Sequence, residues 1–137
     1  MKYFDHNSIK NFSKLYRLNM INSITGYKSA NMIGSRSNSG IENLAIFSSI
    51  THLGSNPPLL SFILRPNTVP RHTYKNLKEN KVFTVNHVAF NQLEDAHHTS
   101  AKYDEGISEF DQTGLTPLYK NSIFGFINII GVLSIST

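Results

Sequence analysis

Apolar and polar positions along the chain sort into helical and strand-like stretches. From Asp5 to about Asn22, Ile9, Phe12, Leu15, Tyr16 and Leu18 recur on one side at helical spacing, while Lys10, Asn11, Lys14 and Arg17 fall largely opposite, which predicts an amphipathic helix. Asp5 suits the N-cap, because its carboxylate can accept from the N–H groups of the first turn. The apolar stripe predicts burial in the core or against another subunit, with the helix covering one face or mouth of the fold. Gly26 ends this region, and Tyr27 to Ser37 reads as a strand interrupted by small residues. Ser29, Ala30 and Gly34 leave room for a flat ring to approach, and they equally fit a bulged or edge strand. Ser37-Asn38-Ser39-Gly40 is a turn in which Gly40 can take positive φ, so a hairpin leads into the apolar run Leu44 to Ser49.

Further along, Asn56-Pro57-Pro58 forces an extended or turned connection, since each proline fixes its own φ and restricts its predecessor. His52 falls in a loop before it. Leu59 to Leu64 is nearly continuous in apolarity, which predicts a strand buried on both faces that anchors the core, each buried side chain worth about 1.5–3 kcal/mol. Arg71 to Asn80 follows Pro70 and reads as a short helix. Lys81 to Val88 alternates as a strand does, and Phe90 to Ser100 predicts a helix with Leu93 and Ala96 inward and Glu94 and Asp95 in solvent. Ile127 to Ile135 can supply one more strand.

A chain of 137 residues is one domain by length, small for an enzyme that closes its own cleft, and a shared site suits it. The hydrophobic fraction of 39% and the charged fraction of 16% belong to a soluble globular protein. With 13 basic and 9 acidic side chains the net charge is +4, scattered without a run of Lys and Arg, so an anionic small ligand explains it better than nucleic acid does. The absence of cysteine excludes disulfides, thiolate metal sites and cysteine nucleophiles. Adjacent His97 and His98 do not face one site on a helix and lack a third ligand at zinc-like spacing, so no metal is expected. MKYFDHNSIKNF lacks the apolar core of a signal peptide and the run from Ile123 is too short and interrupted to span a bilayer, giving the expectation of a cytoplasmic protein without a membrane span.

The candidate chemistry lies at two strand ends. Ser48, Ser49 and Thr51 offer hydroxyls after the first apolar run, and Arg65, Thr68, Arg71 and Thr73 offer charge and hydroxyls after the second. A helix N-terminus with free N–H groups attracts negative charge, and Arg71 with a Thr hydroxyl adds charge-assisted bonds suited to phosphate. Thr73 as a simple cap and Arg71 as a solvated charge fit the same spacing. Asn43 can both donate and accept through its side-chain amide, although local chemistry also lets it end the preceding turn.

Gly26-Tyr27-Lys28-Ser29-Ala30-Asn31, Asn43-Leu44-Ala45-Ile46-Phe47-Ser48-Ser49, Asn56-Pro57-Pro58, Arg65-Pro66 and Arg71-His72-Thr73-Tyr74-Lys75-Asn76 together resemble the flavin reductase-like family, the FMN-binding split barrel. The likeness runs in order from about residue 1 to about 122, with Thr99 to Tyr103, Ser108 to Phe110 and Gly114 to Pro117 continuing it. The resemblance implies a mainly β fold with flanking helices, a six-stranded Greek-key split β-barrel that forms a homodimer with FMN near the interface. It implies a flavin ring resting against Lys28, Ser29, Ala30, Asn31 and Met32 and against Asn43, Leu44 and Ala45, beside Phe47. The ribityl chain and phosphate then meet Ser48, Ser49, Arg65, Arg71, His72 and Thr73, and Lys102 stands as a further approach to flavin or nucleotide phosphate, or as a surface lysine. Residues 1–25 are the N-terminal helix, 26–122 the barrel core with inserted helices, and 123–137 a divergent end, where relatives continue with a proline-bearing turn and further strands, so that the barrel is expected to be incomplete at the C-terminus.

An FMN enzyme needs few reactive side chains of its own, because hydride and electron transfer belong to the cofactor. The resemblance therefore implies an oxidoreductase taking hydride from NADH or NADPH and passing electrons through FMN to free flavin or another acceptor, with no catalytic side chain assigned. An FMN-binding module without nicotinamide turnover and an inactive truncated fragment are the alternatives.

Overall fold

A computed structural model of the chain describes residues 3–65 and 69–119 and the backbone of a short strand at 127–128. Two helices, α1 (His6–Asn11) and α2 (Lys14–Ser23), precede strand β1 (Asn31–Arg36). Strands β2 (Glu42–Phe47), β3 (Thr51–Ser55) and β4 (Pro58–Ser61) follow, then α3 (His72–Asn80) and β5 (Val82–His87). A 3₁₀ turn at Phe90–Gln92, α4 (Leu93–His98), α5 (Glu109–Gln112) and β6 (Ile127–Asn128) complete the described elements. Among them no helix is long and apolar enough to cross a membrane.

The predicted N-terminal helix is two. Asp5 caps α1 as expected, its carboxylate accepting from Ser8 N, but the chain leaves the helix at Phe12 and restarts with Ser13 as a second N-cap for Tyr16. Phe12 packs edge-on against both Phe4 and Tyr16, at 5.3 and 4.7 Å between ring centroids, which fixes the corner. Neither helix buries a residue fully, and Leu15, Tyr16, Leu18 and Ile21 of the apolar stripe are exposed.

β1 and β2 form the expected hairpin, Gly40 taking φ +88° in the turn. β1 also pairs with β5, and β5 with β6, giving an antiparallel sheet in the order β2-β1-β5-β6. β3 and β4 form a separate hairpin around a cis Asn56–Pro57 peptide, with a bulge between His52 and Gly54. His52 is therefore a strand residue, not a loop residue. The six strands thus lie in a sheet of four and a hairpin of two, and a closed barrel does not form among the described residues. β6 is the start of the strand expected at 127–135; the rest of that strand and the divergent end lie outside the described residues, as do Pro66 and Thr68.

Strand alternation sends the two sides of the sheet to two cores. Ile33, Phe83 and Leu77 of α3 form one with Leu64, and Met32, Leu44 and Ala96 of α4 form the other with Phe110 and Leu115 packed against it. Phe62 joins the β3–β4 hairpin to the first core, its ring 5.4 Å from both Phe47 and Phe83. The run Leu59–Leu64 is less buried than its apolarity predicts. Leu64 is buried and Phe62 packs against the core, but Leu60 and Ile63 face solvent, because a two-stranded hairpin has an outer side that the larger sheet does not cover. Leu93, the first residue of α4, is likewise exposed, while Ala96 one turn on is fully buried.

Gly34 faces the second core and lies opposite both Leu44 and Thr84. A Cβ there would stand 2.6 Å from Thr84 Oγ1, so the small residue makes room for a cross-strand hydroxyl.

Candidate functional site

α3 is attached to the β1–β2 hairpin through one polar face. Thr73, Asn76 and Asn80 recur at helical spacing on the side of Leu77, and each reaches the hairpin. Asn43 Nδ2 donates to Thr73 Oγ1 at 2.9 Å, Asn76 Nδ2 to Ser35 Oγ at 3.2 Å, and Asn80 Nδ2 to the Arg36 carbonyl at 2.7 Å. Asn43, Thr73 and Asn76 are buried, so each of these bonds spares a polar group the cost of lying unpaired away from water. The network aims the first turn of α3 and holds it against β2.

At that first turn the surface opens into a groove of about 390 Å³ lined by Val69, Pro70, Arg71, His72, Tyr74 and Lys75, with Glu105 opposite. Arg71 is the N-cap residue of α3, and the N–H groups of the turn behind it carry the positive end of the helix dipole. A smaller cavity of about 30 Å³ shares His72, Lys75 and Glu105 with the groove and extends to Asn43 and Asn76. Its volume is that of a water or two. The two spaces are neighbours, with His72, Lys75 and Glu105 lining both.

The charges around the two spaces are uneven. Lys75 Nζ donates to Glu105 Oε1, and that hydrogen bond, with the attraction between the charges, raises Lys75 above the usual lysine range and holds Glu105 below the usual carboxylate range. Both groups stand in solvent, where such a pair adds little to stability and yields readily to a competing ion. Arg71 adds positive charge at the helix start, and His72 stands beside it.

β2 is held a second time one residue on. Glu109, the first residue of α5, turns its carboxylate inward and accepts from Leu44 N at 2.8 Å. Ser108 caps the helix behind it, its hydroxyl accepting from Phe110 N. Glu109 is only 5% exposed, and this burial pushes its carboxyl above the ordinary value; the Leu44 N–H, its own backbone and the nearby His72 act in the opposite sense.

The structure brings some of the expected site residues together. Asn43 and Thr73 touch directly, Arg71 and His72 line the groove, and Asn31 and Phe47 stand opposite one another in the β1–β2 ladder. Leu44 is buried in the second core and Ala45 pairs with Ile33. Phe47 gives its ring to the aromatic cluster with Phe62. The rest are placed elsewhere or engaged locally. Lys28, Ser29 and Ala30 precede β1 in an exposed segment, where Lys28 Nζ donates to the Asn22 carbonyl and Ser29 Oγ accepts from Asn31 Nδ2. The Ser49 hydroxyl exchanges hydrogen bonds with the backbone of Ile63, and Ser48 and Arg65 are exposed. Lys102 is an exposed residue beyond α4.

Tyr74, Lys75 and Glu105 line the groove and Glu109 lies behind β2; the sequence reading included Tyr74, Lys75 and Glu109 in the stretches that carry the family resemblance but gave none of the four a role. Lys75 lies one turn after Arg71, so helical spacing alone could have marked it as a second cation on the same side. Glu109 acts on a residue 65 positions earlier, and no local pattern announces that.

A model of the flavin reductase like domain matches residues 27–132. An uncharacterized protein of Aquifex aeolicus (strain VF5) is 32% identical over 83 residues, covering 59% of this chain and 42% of its own. Among solved structures, a protein provisionally assigned as a flavin reductase with a split barrel domain, from Shewanella frigidimarina NCIMB 400, superposes with a TM-score of 0.83 at 46% identity, over 88% of this chain and 59% of that one. Nitrilotriacetate monooxygenase component B from Bacillus cereus shares the fold with a TM-score of 0.70 at 21% identity, over 86% of this chain and 57% of its own. The chain thus spans between 42% and 59% of the length of these three relatives.

Proposed function

The chain belongs to the flavin reductase-like domain family, and from that membership we propose that it is an FMN-binding oxidoreductase which takes hydride from NADH or NADPH and passes electrons to free flavin or another acceptor. The observation that carries this reading is the groove at Arg71, His72 and Lys75, with a smaller cavity beside it that shares His72 and Lys75 and is lined by Asn43. The groove falls in the range of about 300–1,000 Å³ typical of ligand pockets, and its basic groups suit a ligand that carries a phosphate.

Arg71, His72 and Lys75 offer charge and donors to phosphate oxygens, and the first N–H groups of α3 add the helix dipole. Residues Asn43 to Ala45 offer a strand segment whose position is fixed by Thr73 on one side and Glu109 on the other. When bound, FMN supplies the hydride and electron chemistry, and the protein contributes placement and polarity. A second copy of this chain is the partner that completes the reading; the exposed side chains Leu15, Leu18 and Ile21 of α2 support an apolar contact of that kind.

Titration of the purified protein with FMN, followed by NADH and NADPH oxidation with and without added flavin, tests the proposal. Saturable FMN uptake with flavin-stimulated oxidation is expected. Protein that takes up no FMN overturns the reading, and FMN uptake without oxidation of either nicotinamide reduces it to flavin binding.

A further inference from the structure

Glu109 is a buried carboxylate that does not line the groove. Burying a carboxylate costs several kcal/mol unless hydrogen bonds compensate. What it meets is the backbone N–H of Leu44, on the strand that forms the outer edge of the four-stranded sheet. An edge strand presents backbone groups that no neighbouring strand reaches, and the usual remedy is water or a short polar side chain. Here an acid from α5 takes that place.

Two adjacent residues are therefore fastened by two different helices. Asn43 is tied through its side chain to Thr73 of α3, and Leu44 through its backbone to Glu109 of α5. The Asn43 tie restrains the strand on the side facing α3, while the Glu109 tie restrains it along the edge. We propose that Glu109 is a positioning residue for the flavin, its carboxylate fixing the backbone of Asn43, Leu44 and Ala45 where the isoalloxazine rests. This rests on the FMN reading above and adds to it a residue that does not line the groove. Because the restraint acts on the ring segment, it affects flavins with and without a phosphate alike.

The experiment compares FMN and riboflavin titrations of the wild type with Glu109→Ala, Glu109→Gln and Glu109→Asp, and with Leu77→Ala as a folded control weakened in the other core. Glu109→Gln keeps an acceptor oxygen at the same reach, Glu109→Asp keeps the charge but falls short, and Glu109→Ala removes both. FMN and riboflavin affinities should each fall about tenfold in Glu109→Ala, as expected for one hydrogen bond to a charged group. Glu109→Gln should stay within about twofold of wild type, and Leu77→Ala should also stay within about twofold at temperatures where it is folded. Should Glu109→Ala not fold, an equal loss for both flavins in Glu109→Asp supports the inference in its place. Wild-type flavin affinity in folded Glu109→Ala, or in folded Glu109→Asp where the alanine variant is lost, overturns the inference and leaves the FMN reading standing. So does a Glu109→Gln variant as weak as Glu109→Ala. Failure of the wild type itself to take up FMN removes both.

Discussion

Asn43 and Thr73, which sequence reading assigned to opposite ends of one cofactor, are joined by a hydrogen bond of 2.9 Å in the buried space between β2 and α3. The ring side and the phosphate side of the proposed site are thus parts of one rigid contact. Thr73→Val removes the acceptor and leaves the Asn43 amide with Ser35 alone, at 3.4 Å. Stability should fall by about 1–3 kcal/mol, the cost of an unsatisfied buried donor. A double-mutant cycle with Asn43→Leu, read by urea denaturation, should give a coupling of about 0.5–3 kcal/mol, and additive losses would show that the bond is not formed in solution.

Gly34→Ala places a methyl 2.6 Å from Thr84 Oγ1. Overpacking of this kind costs about 1–3 kcal/mol. In a Thr84→Ala background the obstruction is gone, and the same substitution should be neutral or stabilising by up to about 1 kcal/mol, because alanine loses less freedom than glycine on folding. Thermal denaturation of the four proteins checks the change of sign.

The buried Glu109 gives stability a distinctive pH dependence. Its carboxyl is raised by burial above the ordinary 4.5, so between that value and its folded pKa the native protein holds a proton the unfolded chain has released. Stability from this group is greatest below 4.5, declines as pH rises through that window and is level above it. Asp5 and Glu105, lowered by the Ser8 and Lys75 hydrogen bonds, act in the opposite direction at lower pH. The difference in Tm between wild type and Glu109→Gln isolates the first effect, and it should shift in favour of Gln with rising pH. A difference independent of pH would mean that Glu109 is not desolvated.

Glu105 holds a cation that a phosphate would otherwise use. Glu105→Gln should therefore favour FMN over riboflavin by roughly threefold, and Lys75→Met should change the ratio in the other direction by a similar factor, since both charges lie in solvent. Both effects should shrink as ionic strength rises. Equal changes for the two flavins would place the phosphate elsewhere.

Much of the fold was legible because it is written locally. The Ser37–Gly40 turn, the Asp5 cap, the α3 start after Pro70 and the alternation in β5 each depend on neighbours within a few residues. The break at Phe12 was hidden because its apolar side chain continued the stripe while Ser13 restarted the helix. The burial of Leu59 to Leu64 was overread, since apolarity cannot tell a strand inside a sheet from one in an outlying hairpin. The likeness expected over about residues 1 to 122 is a match over residues 27–132, which starts after the N-terminal helices and runs on past 122 into the stretch read as divergent. Around the candidate site, Arg71, His72 and Asn43 stand out in the sequence because their chemistry is conspicuous, and the structure places Arg71 and His72 on the groove and Asn43 on the smaller cavity. The face of α3 that docks on the hairpin was missed because Thr73, Asn76 and Asn80 are polar, and a search for apolar periodicity passes over a polar interface. Glu109 stood in a stretch that carries the family resemblance, but its bond to Leu44 N could be found only in three dimensions.

The apolar side chains that α2 leaves in solvent make that helix a gauge. Ten residues fall short of the roughly 12–15 at which a helix sustains itself in water, and α2 buries none of its own residues fully. Its amide protons should then exchange quickly whenever the surface around Leu15 and Leu18 stands bare, and slowly whenever something rests on it. Deuterium uptake over Lys14–Ser23, followed against protein concentration, thereby reads the occupancy of that surface without reference to colour or turnover.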